Sequence, residues 1–208
     1  MVPQEACGHF PFRSVTNGST KTLFSEIIYT RRLQLRRIRE TDLPLVLKWS
    51  ICKTACGPYL TPEPPMAQNV YGHGAEDLFW HPNDRTFLIE TRTPQVPIGT
   101  IHFWLRQDLR QTAGVTVKIA LVNYRGNGYG TEAQKFLIIH LFERLGIRNI
   151  EMYTDINNRA QQRCLQKLGF RIDRSLHYDD GNVKRTGNLY RLTEKDFQSA
   201  TIYRFHYE

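Results

Sequence analysis

Three glycines occur within five positions of the segment Arg125-Gly126-Asn127-Gly128-Tyr129-Gly130, which Thr131 follows. Because glycine lacks a Cβ atom, such a segment lets the backbone approach a ligand closely and adopt positive φ angles. Where a strand precedes it and a helix follows, free N–H groups and the positive end of the helix dipole surround one point, which attracts phosphate. The residues therefore predict an anion-binding loop, to which Arg125 adds a positive charge.

The sequence before this loop has the period of a strand, and the sequence after it has the period of a helix. Residues 115–121 alternate between apolar and less apolar side chains, which is typical of a strand with one buried face. From Thr131 to Leu145 the polar side chains Glu132, Lys135, His140 and Glu143 fall three to five positions apart. This spacing predicts a mostly buried helix, and Gly146 is expected to end it.

The glycine spacing separates the known phosphate loops. A Walker loop needs Gly-Lys-Ser/Thr, and the dinucleotide fingerprint needs G-x-G-x-x-G in the first strand–helix unit near a ribose-binding acid, so neither fits. The spacing Arg125-x-x-Gly128-x-Gly130 resembles the coenzyme A pyrophosphate loop of the GNAT superfamily of N-acetyltransferases. An ordinary glycine-rich turn is the structural alternative for the loop alone.

A second motif supports this resemblance. The segment Asn158–Phe170, NRAQQRCLQKLGF, is similar to the superfamily's helix after the fifth strand, with an Asn at its start and Lys-x-Gly-Phe at its end. The opening segment Leu33–Leu43 resembles that of the ribosomal-protein alanine acetyltransferase branch. Together the motifs indicate an acetyl-CoA-dependent N-acetyltransferase, with acetyl-CoA as cosubstrate and an amine as acceptor.

The resemblance implies how the pantetheine arm would bind. The strand before the loop would splay from its neighbour, and Ile119, Ala120 and Leu121 would offer backbone hydrogen bonds to pantetheine. A backbone N–H near Ala120 or Leu121 would also stabilise the oxyanion of the reaction. Alternatively, the side chains of these residues only fill the core.

The resemblance also implies roles for both motifs. Residues 125–130, with Thr131 at the helix start, would hold the pyrophosphate. Asn158 would hydrogen-bond the pantetheine or the acetyl end, or it would cap its own helix. Lys167 would lie near the adenosine phosphates, or it would complement the helix dipole.

The usual catalytic acid and base are absent. Many relatives carry a general-acid Tyr at the place of Leu165, and the branch often carries a Glu at the place of Val115. Four polar residues on or near strands that border the expected cleft are candidate replacements: His102, Glu90, Asp155 and Tyr153. Five aromatic residues are candidates for an acceptor pocket or for the core: Phe103, Trp104, Phe79, Trp80 and Tyr59. A non-catalytic coenzyme A-binding protein is therefore the alternative function.

The order of predicted elements indicates a mixed α/β domain. Strands are expected at 33–39, 86–91, 98–106, 115–121 and 149–154, followed by a hairpin of 170–178 and 184–192. Helices are expected at 40–49, 75–80, 131–145 and in the second motif. The resemblance implies a central, mostly antiparallel, twisted sheet with splayed central strands and flanking helices.

The chain divides into three parts. Residues 1–30 form an irregular arm with a short helix near 23–29, and residues 31–193 form the N-acetyltransferase domain. Residues 194–208 form a C-terminal extension, in which 202–207 is an edge strand or a homodimer contact.

Composition limits the partners. The 208 residues carry a formal net charge of +8, which favours an acidic partner such as coenzyme A, with nucleic acid as the competing explanation. Leu33, Leu35 and Ile38 lie among the arginines of 31–39, which favours a strand with a solvated face over a nucleic-acid site. No apolar run approaches the ~20 residues of a membrane span. Without a signal segment or a metal-binding motif, a cytoplasmic protein with free thiols and no metal is expected.

Overall fold

The computed structural model describes residues 27–62, 78–109, 111–180 and 183–199. Its strands are β1 Ile27–Tyr29, β2 Leu33–Arg37, β3 Trp80–His81, β4 Asp84–Thr91, β5 Pro97–Leu105, β6 Thr112–Ile119, β7 Asn149–Asp155, β8 Arg171–Asp180 and β9 Val183–Thr193. Its α-helices are α1 Leu43–Ile51, α2 Lys53–Cys56, α3 Tyr129–Leu145, α4 Arg159–Lys167 and α5 Glu194–Ser199.

The strands form one sheet in the order β1-β2-β4-β5-β6-β7-β9-β8, and β3 pairs with β4. All neighbours are antiparallel except β6 and β7. This parallel pair joins Thr112–Gly114 to Asn149–Glu151 and goes no further, so β6 leaves β7 after Gly114. The predicted mixed α/β fold with splayed central strands is confirmed.

Helices cover both faces of the sheet. Ile101 and Phe103 of β5 pack in one cluster with Leu137 of α3. On the other face, Leu88 of β4 packs with Trp49 of α1. Because side chains alternate along a strand, the residues of β5 between those of the α3 cluster point toward the α1 face.

Several boundaries differ from the sequence-based expectation. The strand β2 ends at Arg37, and residues 40–42 form a 3-10 turn before α1. The short helix expected near 23–29 is wrong where the structure describes it, because Ile27–Tyr29 is a strand hydrogen-bonded to β2. Tertiary pairing overrides the weak local preference there. Residues 23–26 and the expected edge strand at 202–207 lie outside the described residues.

Two expected helices also change. The helix predicted at 75–80 survives only as Leu78 and Phe79 within the described residues, because Trp80 begins β3. The helix α3 begins at Tyr129 rather than at Thr131, since Gly128, with φ +81°, already caps it. Gly146 ends α3 with φ +64°, as predicted.

Candidate functional site

The glycine loop connects the end of β6 to the start of α3. A 3-10 turn at Val122–Tyr124 follows β6, and Gly126 and Gly128 then take φ angles of +77° and +81°. Within the described part of the chain, the backbone N–H groups of residues 126–131 have no hydrogen-bond acceptor. The first turn of a 17-residue helix therefore presents free donors and a positive dipole end at one place, as an anion site requires.

The side chain of Arg125 does not face this loop. Its guanidinium donates to the carbonyl oxygens of Ile119 (2.7 Å), Thr54 (2.7 Å) and Ala55 (2.8 Å). Arg125 therefore does not donate its side-chain hydrogen bonds to the loop, and the contribution of its charge to anion binding stays a prediction. These carbonyls would otherwise lack partners at the end of β6 and in α2, which explains why the guanidinium turns toward them. Arg125 links α2 to the loop instead.

Beyond Gly114 a gap opens between β6 and β7. The backbone groups that border this gap are also different from those expected. The N–H groups of Ala120 and Leu121 both donate to the carbonyl oxygen of Ile98, at 2.8 and 3.3 Å. They are thus occupied, and the expectation that one of them is a free oxyanion donor is wrong. Because hydrogen-bonding direction alternates along an antiparallel strand, Val117 and Ile119 turn their backbone N–H groups away from β5 and toward the gap.

Two residues near the loop were not predicted from the sequence. Arg32 donates from Nη1 to the carbonyl oxygen of Asn127 at 3.1 Å. Gln134, which is buried, donates to the carbonyl oxygen of Gly130 (2.9 Å) and accepts from Gln161 of α4 (2.7 Å). Nothing in the local sequence distinguishes Arg32 from its neighbouring arginines, because its loop partner lies 95 residues away.

The second motif forms α4 as expected. Asn158 is the N-cap, and its side-chain oxygen accepts the backbone N–H of Gln161 at 3.2 Å. Lys167 is the last residue of α4 and is exposed, which fits a cation at a helix C-terminus. Gly169 follows with φ +88°. The capping alternative for Asn158 is confirmed, and its cofactor contact stays a prediction.

Replacing Asn158 by alanine should lower the stability of the protein. The cap contributes about 1 kcal/mol of unfolding free energy, because Ala leaves the N–H of Gln161 without its acceptor. If the amide nitrogen of Asn158 also contacts coenzyme A, affinity falls by a further ~1–3 kcal/mol. Chemical denaturation and coenzyme A titration of the same variant measure the two effects. An unchanged affinity would leave Asn158 with the cap alone.

The family positions of the acid and base carry no polar group. Leu165 is fully buried and Val115 is 2% exposed, and both belong to the core cluster under α3. A proton carrier must therefore come from elsewhere. Glu90 is a wrong candidate, because it is buried in an ion pair with Arg36 (3.1 Å) and a hydrogen bond with Gln34. Burial opposes its ionisation, but Arg36 outweighs this and holds the pKa of Glu90 below its usual value.

Asp155 is a poor proton carrier in this structure. It is 6% exposed, and its carboxylate accepts the backbone N–H of Asn157 at 2.8 Å. Its other oxygen lies 3.7 Å from the guanidinium of Arg185. These contacts occupy both carboxylate oxygens, which suits a structural group at the end of β7.

His102 and Tyr153 remain as candidates on the α1 face. His102 lies between the core-facing residues of β5, and its Nε2 is 2.8 Å from the Asp84 carboxylate. Its strand partner is Thr116, two residues beyond the point where β6 leaves β7. Tyr153 of β7 is 47% exposed and hydrogen-bonds Arg106. The structure thus places these two side chains on one face, on either side of the gap.

Two aromatic residues border the same region. The indole of Trp104 stacks on His102 with 5.2 Å between ring centroids, and it covers Gly114 so closely that a Cβ atom there would lie 2.2 Å from the ring. Tyr59, after α2, donates its hydroxyl to the carbonyl oxygen of Asn157 at 2.9 Å. The segment after α2 therefore reaches from the β6 side of the gap to the end of β7.

The other aromatic candidates lie elsewhere. Phe103 is fully buried in the core, and Trp80 packs edge-on against Phe87 with 4.9 Å between centroids. Phe79 packs against the α1 cluster. Of the five candidates for an acceptor pocket, only Trp104 and Tyr59 border the gap.

The described residues contain neither a candidate metal-binding cluster nor a candidate membrane-spanning helix. Among them, no three His, Cys, Asp or Glu side chains are close enough together to hold a metal ion. Cys52, Cys56 and Cys164 are free thiols, and Cys7 lies outside the described residues. In the same part of the chain, no helix combines the length and the apolar character needed to span a bilayer.

Comparison with solved structures supports the fold. Mycobacterium smegmatis RimJ in complex with CoA-disulfide has 18% identity and a TM-score of 0.65, covering 83% of this chain and 87% of that one. A Bacillus anthracis GNAT-family acetyltransferase has 16% identity and a TM-score of 0.67, covering 81% and 99%. Mutant forms of the spermidine/spermine N-acetyltransferase SpeG from Vibrio cholerae have 14% identity and a TM-score of 0.65, covering 82% and 98%.

Sequence comparison supplies the family. No curated protein matches the chain. A family model described as the acetyltransferase (GNAT) domain matches residues 32–171, which include β2, the glycine loop and α4. The predicted resemblance is confirmed, and the chain belongs to the GNAT family of acetyltransferases.

Proposed function

We propose that the protein is an acetyl-CoA-dependent N-acetyltransferase that acts on an amine, either a peptide α-amine or a small-molecule amine. The observation that carries this proposal is the gap between β6 and β7, which leads to the free N–H groups at the start of α3. A thioester at the end of a pantetheine arm would reach the α1 face through this gap.

The cofactor would bind from the loop inward. Backbone N–H groups of residues 126–131 would hold the pyrophosphate, and the gap-facing backbone of Ile119, with the carbonyl group of Val117, would bind the pantetheine amides. The RimJ structure, which has a similar fold, contains CoA-disulfide. The same free donors make an ordinary structural turn a poor explanation of the loop.

The chemistry needs a neutral amine and a stabilised oxyanion. Nε2–H of His102 donates a hydrogen bond to the Asp84 carboxylate, and in this tautomer the lone pair on Nδ1 is available to accept a proton from the amine. Tyr153, whose side chain contacts Arg106, is the proposed proton donor to the leaving thiolate. The gap-facing N–H of Val117 is the proposed oxyanion donor.

A screen of amines with acetyl-CoA, read by release of free thiol, tests this function. Peptides with different N-terminal residues and polyamines should be included, because RimJ and SpeG are both fold neighbours. Coenzyme A binding without thiol release from any amine would favour the non-catalytic alternative. A salt-dependent complex with nucleic acid and no coenzyme A binding would favour the nucleic-acid alternative. Cytoplasmic localisation and a homodimer stay predictions.

Cys164 should not carry the acetyl group. Burial raises the pKa of its thiol, although hydrogen bonds with Thr131 and Gln134 act in the opposite direction. A thiol with a raised pKa is a poor nucleophile, and an oriented amine can attack the thioester directly. We therefore expect Cys164→Ala to retain most activity and initial-rate lines to intersect, as in a ternary complex. Parallel lines, or an acetyl label on Cys164 without acceptor, would contradict this.

A further inference from the structure

Arg32, just before β2, is fixed against the first turn of α3. Its backbone N–H and its Nε both donate to the Glu132 carboxylate, at 2.9 and 2.7 Å. The Thr30 hydroxyl donates to the same carboxylate at 2.6 Å. Burial opposes the ionisation of Glu132, but these hydrogen bonds hold its pKa below the usual value. The guanidinium also lies 4.3 Å from the centre of the Tyr129 ring. The arginine therefore has one well-defined position.

From this position Arg32 contacts the loop on one side only. Its Nη1 donates to the carbonyl oxygen of Asn127 at 3.1 Å. In a trans peptide, the C=O and the following N–H point in opposite directions. The N–H of Gly128, which has no backbone acceptor among the described residues, therefore points away from Arg32. Because residue 128 is a glycine with φ +81°, no side chain at this position restricts the orientation of the peptide.

We propose that Arg32 is a positioning residue for the cofactor's pyrophosphate. It acts through the peptide between Asn127 and Gly128, which it holds with the N–H aimed at the phosphate site, and Glu132 fixes Arg32 for this task. Arg32 thus replaces Arg125 as the arginine that serves the loop, but it does so by orientation. The neighbouring Glu132 offsets its charge. This inference rests on the proposed coenzyme A binding.

The test compares two ligands that differ in phosphate. Coenzyme A carries the pyrophosphate and the 3′-phosphoadenosine, whereas pantetheine has the same thiol arm without either. Without Arg32 the peptide is free to rotate, and one charge-assisted hydrogen bond to phosphate is lost. In Arg32→Gln we expect the Kd for coenzyme A, measured by calorimetry, to rise about tenfold. The Kd for pantetheine, measured by ligand-observed NMR, should stay within about twofold, because Arg32 acts only on the phosphate site.

Arg31→Gln is the matched control. It removes the same charge from the exposed neighbouring residue, so it should leave both affinities unchanged. Arg32→Lys keeps one donor for Asn127 but loses the two-sided contact with Glu132, and its affinity for coenzyme A should be intermediate. Lys also keeps a cation against the Tyr129 ring, so this variant tests the idea even if Arg32→Gln does not fold.

The possible outcomes separate the two proposals. Equal losses for coenzyme A and pantetheine would make Arg32 a general structural residue and overturn the inference. An unchanged coenzyme A affinity in Arg32→Gln would overturn it as well, while leaving the proposed function intact. If the wild-type protein binds no coenzyme A, the proposed function and this inference fall together.

Discussion

Replacing Gly128 by valine is expected to abolish the thermal shift that acetyl-CoA gives the wild-type protein. Gly128 has φ +81° and is the N-cap of α3, at the centre of the free N–H groups. A β-branched residue rarely adopts such an angle, and its Cβ atom would lie 3.5 Å from the guanidinium of Arg32. The valine would therefore turn the N–H groups of the loop away from the site and crowd the arginine that contacts the loop.

The expected shift is large enough to measure. A ligand that binds only the folded state at 100 times its Kd stabilises it by about 2.7 kcal/mol. For a chain of this size, that raises Tm by roughly 5–10 °C. The valine variant should melt at the same temperature with and without acetyl-CoA, as measured by differential scanning calorimetry.

Backbone strain alone would also lower the stability of this variant, so a control with equal strain is needed. Gly146 caps the other end of α3 with φ +64°, and no atom would contact a Cβ there within 4 Å. Gly146→Val should lose stability yet keep the acetyl-CoA shift. A folded Gly128→Val protein with a wild-type shift would remove the loop from the proposed site.

The loop could be predicted because its signals are local. Glycine spacing and the change from a period of two to a helical period both lie within a few residues of Gly128. The hydrogen-bonding direction of β6 could not be predicted in this way. A period of two tells which side chains share a face, but only the bond from Ala120 to Ile98 reveals that Val117 and Ile119 face the gap.

The two arginines at the loop show the same limit. Arg125 belongs to the motif, yet its guanidinium binds the carbonyls of Thr54 and Ala55, about 70 residues away. Arg32 lies outside the motif and contacts the loop directly. Position in the sequence predicted the backbone of the loop, whereas the fold decided which side chain supports it.

Glu90 was a reasonable candidate only before its partners were known. It lies on β4, a strand of the central sheet, where a carboxylate that faced the cleft could accept a proton from the amine. In the folded protein, the guanidinium of Arg36 binds both Glu90 and Asp42, at 3.1 and 2.7 Å, and all three side chains are buried. A buried ion pair of this kind keeps the carboxylate charged and out of reach of an acceptor. His102 and Tyr153, the two polar candidates beside the gap, therefore remain as candidate catalytic residues.

Replacing His102 by alanine is expected to lower kcat by about 10²–10⁴-fold, the usual contribution of a positioned general base. His102 lies opposite Thr116, where β6 has already left β7, and the Asp84 carboxylate fixes its ring at 2.8 Å. The KM for acetyl-CoA should change little, because His102 would touch the amine and not the cofactor's phosphates. Steady-state rates with the best amine from the screen measure both quantities.

His177→Ala is the matched control, because His177 is an exposed histidine on β8 that hydrogen-bonds only Thr186 among the described residues. It should leave kcat unchanged.

A loss in His102→Ala could also follow from the collapse of Trp104, which stacks on the histidine. Added imidazole distinguishes the two causes, since it can restore a missing base but cannot repack a strand. Recovery of kcat in His102→Ala with imidazole, and none in Asp84→Ala, where His102 still occupies the site, would support the base. A wild-type kcat in His102→Ala would instead show that the acceptor amine loses its proton to water, and that alignment in the gap alone carries the reaction.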